Sequence, residues 1–485
     1  MATVNTNDLR VKNAKNLIES FTGPDGEALA YLFVGRVKPW IDEKLPPKPQ
    51  NNYKTFYDTY DNLYAMKRIA QTDSYHMIPK LNWVSGVVYD YYRQDYTTAN
   101  KSYTGASNLY DCRWIVRNQT NNVYVCLNNK DGIPSTSEPQ NTSNEPFVTA
   151  DGYQWQRVYN LTAGDYSDYS TNNFMPITST EVVTATDGAI STVIIENPGG
   201  SFTVNPIGAP NQIPFYFCNI DGDGSGAVAK VTITGGQVSD IEVVRPGSGY
   251  SYATLDFTPN NVYASLSNLD QEKNALNPEG DGTFRSTVII PPPGGWGTDL
   301  VRELGGTRVG VFSSLDYNLF QYFEASFRQL GILQDMTLSS TNPTSVEVCY
   351  AVHVEDLLPG NTYSMSETIT QVVTDDDGVD HLAKGFVVGY DEDTGVLRYT
   401  QSSANVDVDG NLYRFKGDKK VTGLTSEQSS SPVISTEIIT DVQFIAGYAT
   451  PEVTPYSGIM TYLTNISPVT RDPLQTERIS LLIAF

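Results

Sequence analysis

Residues 181–262 contain an internal repeat, which limits the possible folds of this chain more than any other feature. An offset of 48 residues, the distance in sequence from Asp187 to Gly235, aligns these pairs: Gly188 with Gly236, Ile190 with Val238, Val193 with Ile241, Ile195 with Val243, Pro198-Gly199 with Pro246-Gly247, and Phe202 with Tyr250. Each unit has the pattern of a turn, a strand of alternating apolar residues, and a Pro-Gly corner followed by an aromatic residue. We expect the two units to bury one shared apolar face, because neither can bury that face alone.

Strand patterns continue outside the repeat, from residue 109 to the last residue. Apolar residues at 114–116 and 123–125 flank a polar segment at 118–122, which predicts a hairpin. A strand with one apolar face is predicted at the carboxyl end, and we expect it to pair with another strand; its apolar residues are Ile479, Leu481, Ile483 and Phe485. Further strands are predicted at 327–333, 385–390, 396–399 and 411–415, with turns at 375–377 and 407–410.

Helical spacing is found near the amino terminus. Apolar residues three and four positions apart predict an amphipathic helix over residues 7–21: Val11, Ala14, Leu17, Ile18 and Phe21. Residues 28–34 are almost continuously apolar and predict a buried strand. A second helix, ending before Pro79, is predicted from Phe56, Tyr60, Leu63, Met66 and Ile69. The fold class predicted from these patterns is mainly β (α+β), with sandwich-like or barrel-like domains and a few N-terminal helices.

Charge and composition exclude several classes of protein. The net charge of −23 repels phosphate, so we do not expect nucleic acid as a partner. We find no apolar segment typical of a secretory signal or long enough to span a membrane, so no membrane partner is predicted. The four cysteines are scattered without a C-x-x-C pair, which favours a reduced chain made in a cytoplasm.

Sequence signatures of catalysis and metal binding are missing. The three histidines have no nucleophile elbow, H-E-x-x-H or phosphate-binding loop beside them. Asp221 to Gly226 begins like a calcium loop, but Thr232 stands where the bidentate acid is required. We therefore predict a protein that is not an enzyme and has no catalytic residue, no cofactor and no metal site.

Four parts of the chain carry patterns that occur in the same order in one family. They are F-x-G-R-x-x-P-W at 33–40, the aromatic strands at 111–127 and 151–161, F-R-Q-x-x-I at 327–332, and a carboxyl-terminal signature at 457–477. These segments resemble the baseplate wedge subunit (gene product eight) of contractile-tailed, T-even-type bacteriophages. The chain departs from the family at 464–467, where relatives carry an acidic residue and Asn-Arg before the proline. Partner contacts of those charged residues therefore do not carry over.

The resemblance implies a multidomain protomer in which later domains are inserted into loops of earlier ones. We predict a base domain (1–107 and 441–485), a central β domain (108–180 and 263–372), the inserted repeat (181–262) and a small inserted β domain (373–440). The implied function is structural: a virion protein of the tail baseplate, made and assembled in the host cytoplasm. The resemblance also implies that the protein forms a homodimer, binds other wedge proteins, and takes part in assembly and in the rearrangement that triggers sheath contraction.

An alternative function is a receptor- or glycan-binding tail module, or a depolymerase with a carboxylate pair. The short repeat argues against a depolymerase, because those enzymes are usually long parallel β-helices. Aromatic segments at 89–92 and 153–155 are candidates for a dimer surface. Such segments are more often part of the core or of ordinary surface, since aromatic side chains serve both roles.

Overall fold

The chain is mainly β, as the sequence predicts. A computed structural model describes residues 6–21, 29–178, 185–202, 215–258, 261–263, 280–315, 325–339, 343–440, 442–471 and 475–485. Strands hold 42% of the structure and helices 11%, which confirms the mainly β (α+β) fold class. In the described ranges, no helix is long and apolar enough to cross a membrane.

The helices and strands of the described residues are as follows. The helices are α1 (Asn7–Glu19), α2 (Tyr53–Asp61), α3 (Ala163–Tyr169) and α4 (Leu300–Glu303). The strands are β1 (Ala30–Gly35), β2 (Leu63–Arg68), β3 (Ser74–Pro79), β4 (Ile115–Arg117), β5 (Asn122–Asn128), β6 (Phe147–Val148), β7 (Gln154–Asn160), β8 (Phe174–Pro176), β9 (Thr192–Asn197), β10 (Phe215–Gly222), β11 (Ser225–Thr234), β12 (Gln237–Ser248), β13 (Ala253–Leu255), β14 (Val262–Tyr263), β15 (Arg285–Ile289), β16 (Arg308–Leu315), β17 (Ala325–Gln334), β18 (Ser345–Glu347), β19 (Tyr350–Glu355), β20 (Thr368–Thr374), β21 (Asp380–Asp391), β22 (Val396–Thr400), β23 (Val421–Gly423), β24 (Ser429–Pro432), β25 (Glu437–Ile439), β26 (Val442–Phe444), β27 (Tyr448–Ala449), β28 (Ile459–Arg471) and β29 (Glu477–Ala484).

The chain folds into two compact units, and each unit combines segments that are distant in sequence. Unit 1 consists of Met1–Ala14, Tyr75–Val309 and Ile483–Phe485. Unit 2 consists of Lys15–Ser74 and Gly310–Leu482. The finer boundaries predicted for the four domains stay predictions.

The predicted hairpin lies in unit 1, in a four-stranded antiparallel sheet of order β4-β5-β7-β6. β4 pairs with β5 around the polar segment at 118–122, where Asn121 adopts a φ of +63°. Just before β4, the Trp114 carbonyl accepts a 2.8 Å hydrogen bond from the Cys126 N–H. Trp114 and Trp155 are both fully buried in the core of this sheet. The predicted pairing of the tryptophan-containing strand with the strand at 124–127 is therefore confirmed.

The two repeat units, also in unit 1, form one structure with reciprocal contacts. They exchange backbone hydrogen bonds of 2.8–3.2 Å that are equivalent under the 48-residue offset: Ile190 N to Pro246 O and Val238 N to Pro198 O, then Phe202 N to Gly236 O and Tyr250 N to Gly188 O. Phe202, Tyr250, Val193 and Ile241 belong to one buried cluster. The predicted shared apolar face is confirmed. The parts of this segment at 181–184, 203–214 and 259–260 lie outside the described residues.

Unit 2 contains a five-stranded sheet of order β18-β2-β1-β17-β28. Every residue of β1 is buried, as predicted for a strand with neighbours on both sides. The predicted strand at 327–333 is found as β17, which pairs antiparallel with both β1 and β28. Apolar side chains on one face of this sheet pack against the aromatic residues of α2, including Phe56 and Tyr60.

Six strands of unit 2 close into a barrel. They run in the order β22-β21-β20-β23-β24-β19, and β19 pairs back with β22. The buried cluster of the barrel includes Val352, Leu397 and Phe415. Closure removes free strand edges, which makes such a unit rigid and resistant to edge-to-edge pairing. The predicted barrel-like character is confirmed, and the barrel begins at β19, before residue 373.

The carboxyl-terminal strand is confirmed as a paired element, because β29 lies beside β16 in a sheet. Ile479 and Leu481 are buried, whereas Arg478 and Ser480 are exposed, so the alternation of the sequence matches the two faces of the strand. The predicted helix over 7–21 is also confirmed, with all five of its apolar positions buried.

The predicted second helix is wrong in its carboxyl-terminal half. α2 ends at Asp61, and Leu63 and Met66 lie in β2. Residues 63–66 are all buried, so both faces of β2 are covered, and β1 and β18 pair with its two edges. A strand buried on both faces shows no alternation, so its apolar residues matched helical spacing by coincidence.

The predicted strand at 411–415 is also wrong. No strand forms there, and glutamine side chains bind the backbone of this segment instead. Gln401 Nε2 donates to the Tyr413 carbonyl at 2.8 Å, and the Lys416 N–H donates to Gln371 Oε1 at 3.0 Å. Buried backbone groups need partners, and these side chains supply them without a ladder.

Candidate interaction site

Three of the segments that carry the family resemblance meet in unit 2. They are the segment that includes the end of β1, the amino-terminal half of β17 and the middle of β28, and these strands are neighbours in the order β1-β17-β28. The register aligns Gly35 with Gln329, and Gln329 with Asn465. Gln329 Nε2 donates a 2.9 Å hydrogen bond to Asn465 Oδ1. The three motifs therefore build one local structure.

The chain leaves the sheet in a tight turn at Gly35-Arg36. A Cβ atom on residue 35 would lie 2.7 Å from the Asn62 carbonyl oxygen, so glycine is required there. Arg36 follows at φ +63°, and its guanidinium carbon lies 3.8 Å from the centre of the Trp40 ring. Arg36 Nη1 also lies 3.6 Å from Asp58 Oδ2. Burial lowers the pKa of Arg36, and the negative charge of Asp58 acts in the opposite direction.

The segment from residue 36 to residue 52, here called the 36–52 loop, connects β1 to α2 and is held by Arg328 of β17. Arg328 Nε and Nη2 lie 2.8–3.1 Å from the Glu43 carboxylate oxygens. Arg328 Nη1 donates a 2.7 Å hydrogen bond to the Val37 carbonyl. Only 8% of the Arg328 side chain is exposed. The hydrogen bond from Arg328 lowers the pKa of Glu43, which favours the ionised carboxylate.

Two contacts with β28 hold the same loop. Trp40 Nε1 donates to the Ile466 carbonyl at 3.0 Å. Asn465 Nδ2 donates to the Pro47 carbonyl at 2.7 Å. Both β28 residues lie in the segment where the chain departs from the family pattern. They bind the loop through a backbone carbonyl and an amide, and these contacts need no charged side chain.

The fixed loop presents two large aliphatic side chains to solvent. Ile41 is fully exposed and Leu45 is 76% exposed. Between residues 40 and 49, every third residue is half-buried and faces the protein. These residues are Trp40, Glu43, Pro46 and Pro49. Asp42 shapes the turn between the two aliphatic residues, because its Oδ1 accepts from the Lys44 N–H at 2.9 Å and its carbonyl accepts from the Leu45 N–H at 3.2 Å. The loop therefore combines fixed backbone contacts with two exposed aliphatic side chains.

The aromatic segments proposed as dimer surface have another role. Tyr89, Tyr92, Tyr153 and Trp155 are at most 3% exposed and belong to the core of unit 1. The proposal of a surface role for them is wrong, and the core interpretation is correct. Sequence reasoning also missed Ile41 and Leu45. Their signal is two isolated aliphatic residues among charges, just before the run Pro46-Pro47-Lys48-Pro49.

The three histidines occupy separate places. His76 lies in β3 of unit 1, and His381 Nε2 lies 2.8 Å from Asp375 Oδ2 in unit 2. His353 Nδ1 lies 2.8 Å from Glu437 Oε1, and the Ser435 hydroxyl donates to the same oxygen. In a catalytic triad the histidine lies between serine and carboxylate, whereas here the carboxylate lies between the other two.

The acidic residues that the turn patterns singled out accept hydrogen bonds from backbone N–H groups. Asp223 Oδ1 accepts from the Ser251 N–H at 2.9 Å in unit 1, and Asp407 Oδ1 accepts from the Asn411 N–H at 2.8 Å in unit 2. Asp375 Oδ1 accepts from the Val379 N–H at 2.8 Å in the predicted turn. Within the described part of the chain, no group of three His, Cys, Asp or Glu residues is placed to hold a metal ion.

Comparisons with known proteins identify no family for this chain. The sequence matches no protein-family model. No curated protein matches it at a significant level. Functional inference therefore rests on the residues, contacts and patterns described above.

Proposed function

We propose that the chain is a structural subunit of the baseplate wedge in the tail of a contractile-tailed bacteriophage. It acts by binding: it forms a homodimer, binds neighbouring wedge proteins, and takes part in baseplate assembly and in the rearrangement that triggers sheath contraction. The observation that supports this proposal most is the convergence of three family-like segments on the 36–52 loop. Four side chains of those segments form the contacts that hold the loop: Arg36, Trp40, Arg328 and Asn465. Gln329 hydrogen-bonds to Asn465 and so supports one of them.

The energetics of the loop favour a role in binding. Burying an exposed isoleucine or leucine in an interface contributes about 1.5–3 kcal/mol each. A loop that is already fixed loses little conformational freedom when it binds, so more of that free energy appears as affinity. Ile41 and Leu45 meet both conditions, because they are exposed and their loop is held by β17 and β28.

The rest of unit 2 suits a subunit that must move as a body. The closed barrel and the five-stranded sheet are rigid elements. A rearrangement between two assembled states requires rigid parts and interfaces with two stable arrangements. A fixed loop that carries the contact residues transmits a displacement better than a mobile one.

Native mass and co-assembly test the proposal. Light scattering over a dilution series is expected to give a mass near twice 53.4 kDa, and the protein is expected to co-assemble with wedge proteins encoded beside it. The variant Ile41→Asp/Leu45→Asp is expected to lose one of these associations, whereas Val408→Asp, at an equally exposed position on another turn of unit 2, retains both. A stable trimer that binds no wedge protein would contradict the proposal.

One observation favours the second candidate, a receptor- or glycan-binding tail module. Tyr53, Tyr57 and Tyr456 form an exposed aromatic group in unit 2. The ring centroids of Tyr53 and Tyr57 are 6.5 Å apart, and those of Tyr57 and Tyr456 are 4.9 Å apart. Exposed rings of this kind stack on sugars. Saccharides that raise the melting temperature of the wild-type protein, but not of Tyr53→Ala/Tyr57→Ala, would support this function over the structural one.

A further inference from the structure

Unit 1 contains an open cleft of about 1010 Å³, separate from the residues used in the proposed function. Its walls come from the amino-terminal part of α1, from the segment before β4, and from α4 and the start of β16. This volume lies at the upper end of the usual range for ligand sites. The cleft is large enough for a ligand of several residues.

The charge of the cleft is opposite to that of the chain. Five cationic residues line it: Arg10, Lys80, Arg113, Arg302 and Arg308. Three acidic residues also line it, whereas the whole chain has 55 acidic and 32 basic residues. Clefts of one sign concentrate ligands of the opposite sign, because their walls focus the field.

The three acidic residues of the cleft, Asp8, Asp111 and Glu303, all form contacts with other groups. Asp111 is exposed, and its Oδ2 accepts a hydrogen bond from Asn108 Nδ2. Asp8 pairs with Arg302 Nε at 3.1 Å. Glu303 is 3% exposed, and its two oxygens accept from the Gly297 and Asp299 N–H groups at 2.7 Å. Burial raises the pKa of Glu303 above its ordinary value. Among the described residues, no carboxylate forms an ion pair with Arg10, Arg113 or Arg308.

The remaining lining residues narrow the class of ligand. Tyr92, Tyr96 and Trp114 are at most 8% exposed, so their ring faces are closed to a stacked sugar or base. Tyr110 is 37% exposed, but its ring lies so close to Gly305 that a Cβ atom there has no room. The Cys112 thiol is held neutral, because burial raises its pKa to about 11. Guanidinium groups bind carboxylates through paired, charge-assisted hydrogen bonds. The cleft therefore suits a chain of carboxylates better than a stacked ring.

We propose that this cleft binds an acidic peptide segment of another protein chain, with Arg10, Arg113 and Arg308 as the carboxylate-binding residues. The proposal does not depend on the baseplate role, because it concerns a different unit and different residues. A partner segment rich in Asp and Glu would enter the cleft from solvent and bind the arginines side by side.

Binding of a hexaglutamate peptide to the full-length protein tests the proposal. Calorimetry on the wild type should detect binding that weakens as salt rises from about 0.05 M to about 0.5 M. The variant Arg10→Gln/Arg113→Gln should bind about tenfold more weakly for each arginine removed. The matched control Arg245→Gln changes an exposed arginine of β12 in the same unit and should bind like the wild type. All three changed residues are exposed, so the variants should fold.

Three results would overturn the proposal. The first is no peptide binding at low salt. The second is equal binding by the wild type and by Arg10→Gln/Arg113→Gln, which would place the peptide elsewhere. The third is binding of a hexagalacturonate oligosaccharide without binding of the peptide, which would identify an acidic glycan as the ligand. The peptide-binding results do not depend on the outcome of the native-mass and co-assembly test, so each proposal can fail without the other.

Discussion

Replacing Arg328 by methionine tests whether the 36–52 loop is held as described. Methionine keeps an unbranched, flexible side chain of similar length but removes every hydrogen-bond donor. The variant loses the bond to the Val37 carbonyl and the pair with Glu43. The Val37 carbonyl retains a 2.8 Å hydrogen bond from the Ser366 hydroxyl, so it is not left without a partner.

The size of the effect follows from the burial of each contact. The charge-assisted bond from Arg328 to the buried Val37 carbonyl contributes about 1.5–3 kcal/mol. The pair with Glu43 contributes less, about 0.5–1 kcal/mol, because 33% of the Glu43 side chain is exposed and solvent screens the charge. We expect the free energy of local loop opening to fall by about 2–4 kcal/mol. This corresponds to an opening equilibrium about 30-fold to several hundred-fold larger.

Limited trypsin digestion measures this opening at a defined bond. The Lys44–Leu45 bond lies in the exposed part of the loop, whereas Lys48 is followed by proline and resists the protease. Cleavage of a fixed loop follows the population of its open state, so the initial rate at Lys44 should rise by the same factor. Glu43→Gln serves as the control, because it keeps the Val37 contact; its rate should rise by less than about fivefold.

Two results would refute this reasoning. Cleavage of Arg328→Met at the wild-type rate would mean that Arg328 does not hold the loop. An equal acceleration at lysines throughout unit 2 would mean that the substitution unfolds the unit, and not the loop alone. Mass spectrometry of early fragments separates these outcomes.

Three further predictions concern other parts of the fold. Tyr250→Phe removes a hydroxyl that makes two buried backbone hydrogen bonds, and it should lower the unfolding free energy of the repeat by about 1–3 kcal/mol in urea denaturation. Gly35→Ala places a Cβ atom 2.7 Å from the Asn62 carbonyl oxygen, and it should lower stability by about 1–3 kcal/mol; an unchanged melting curve would contradict the close approach. Hydrogen bonds from Ser251 lower the pKa of Asp223 from 3.8 to about 2, so its stabilising effect is present above the ordinary pKa and is lost as pH falls toward 2. The stability difference between the wild type and Asp223→Asn should therefore shrink over that interval, and a constant difference would contradict the shift.

The fold of the repeat could be predicted because its information is local. Gly199 and Gly247 both adopt positive φ, at +63° and +65°, and each follows the proline of its Pro-Gly corner. Phe202 and Tyr250 follow three residues later, and both are buried in the same cluster. Turn, strand and aromatic residues lie within sixteen residues of each other in each unit, so a pattern search finds them. The reciprocal hydrogen bonds then follow from the symmetry of the two units.

The interaction site and the cleft could not be predicted, because their residues come together only in the folded chain. Arg328 and Glu43 are 285 positions apart, and nothing near either residue predicts the other. The arginines of the cleft come from helix α1, the segment before β4 and the start of β16. The error in the second helix has a related cause: β2 pairs with β1 and β18 and is buried on both faces, and the local sequence does not indicate these contacts.

The contacts that fix the 36–52 loop also determine which of its side chains and charges remain exposed for a partner. Arg36 is engaged by Asp58 and Glu43 by Arg328, so these charges are already compensated within unit 2. The exposed remainder has Ile41 and Leu45, with Asp42, Lys44 and Lys48 beside them, so its rim carries one more positive than negative charge. An apolar centre with a charged rim is the usual anatomy of a protein interface. The surface that matches this loop best therefore has an apolar pocket and a rim of net negative charge. A second copy of this chain, with its net charge of −23, meets the charge requirement, so loss of the dimer in Ile41→Asp/Leu45→Asp would place this loop at the homodimer interface. Retention of the dimer with loss of wedge-protein binding would assign the loop to a neighbouring subunit instead.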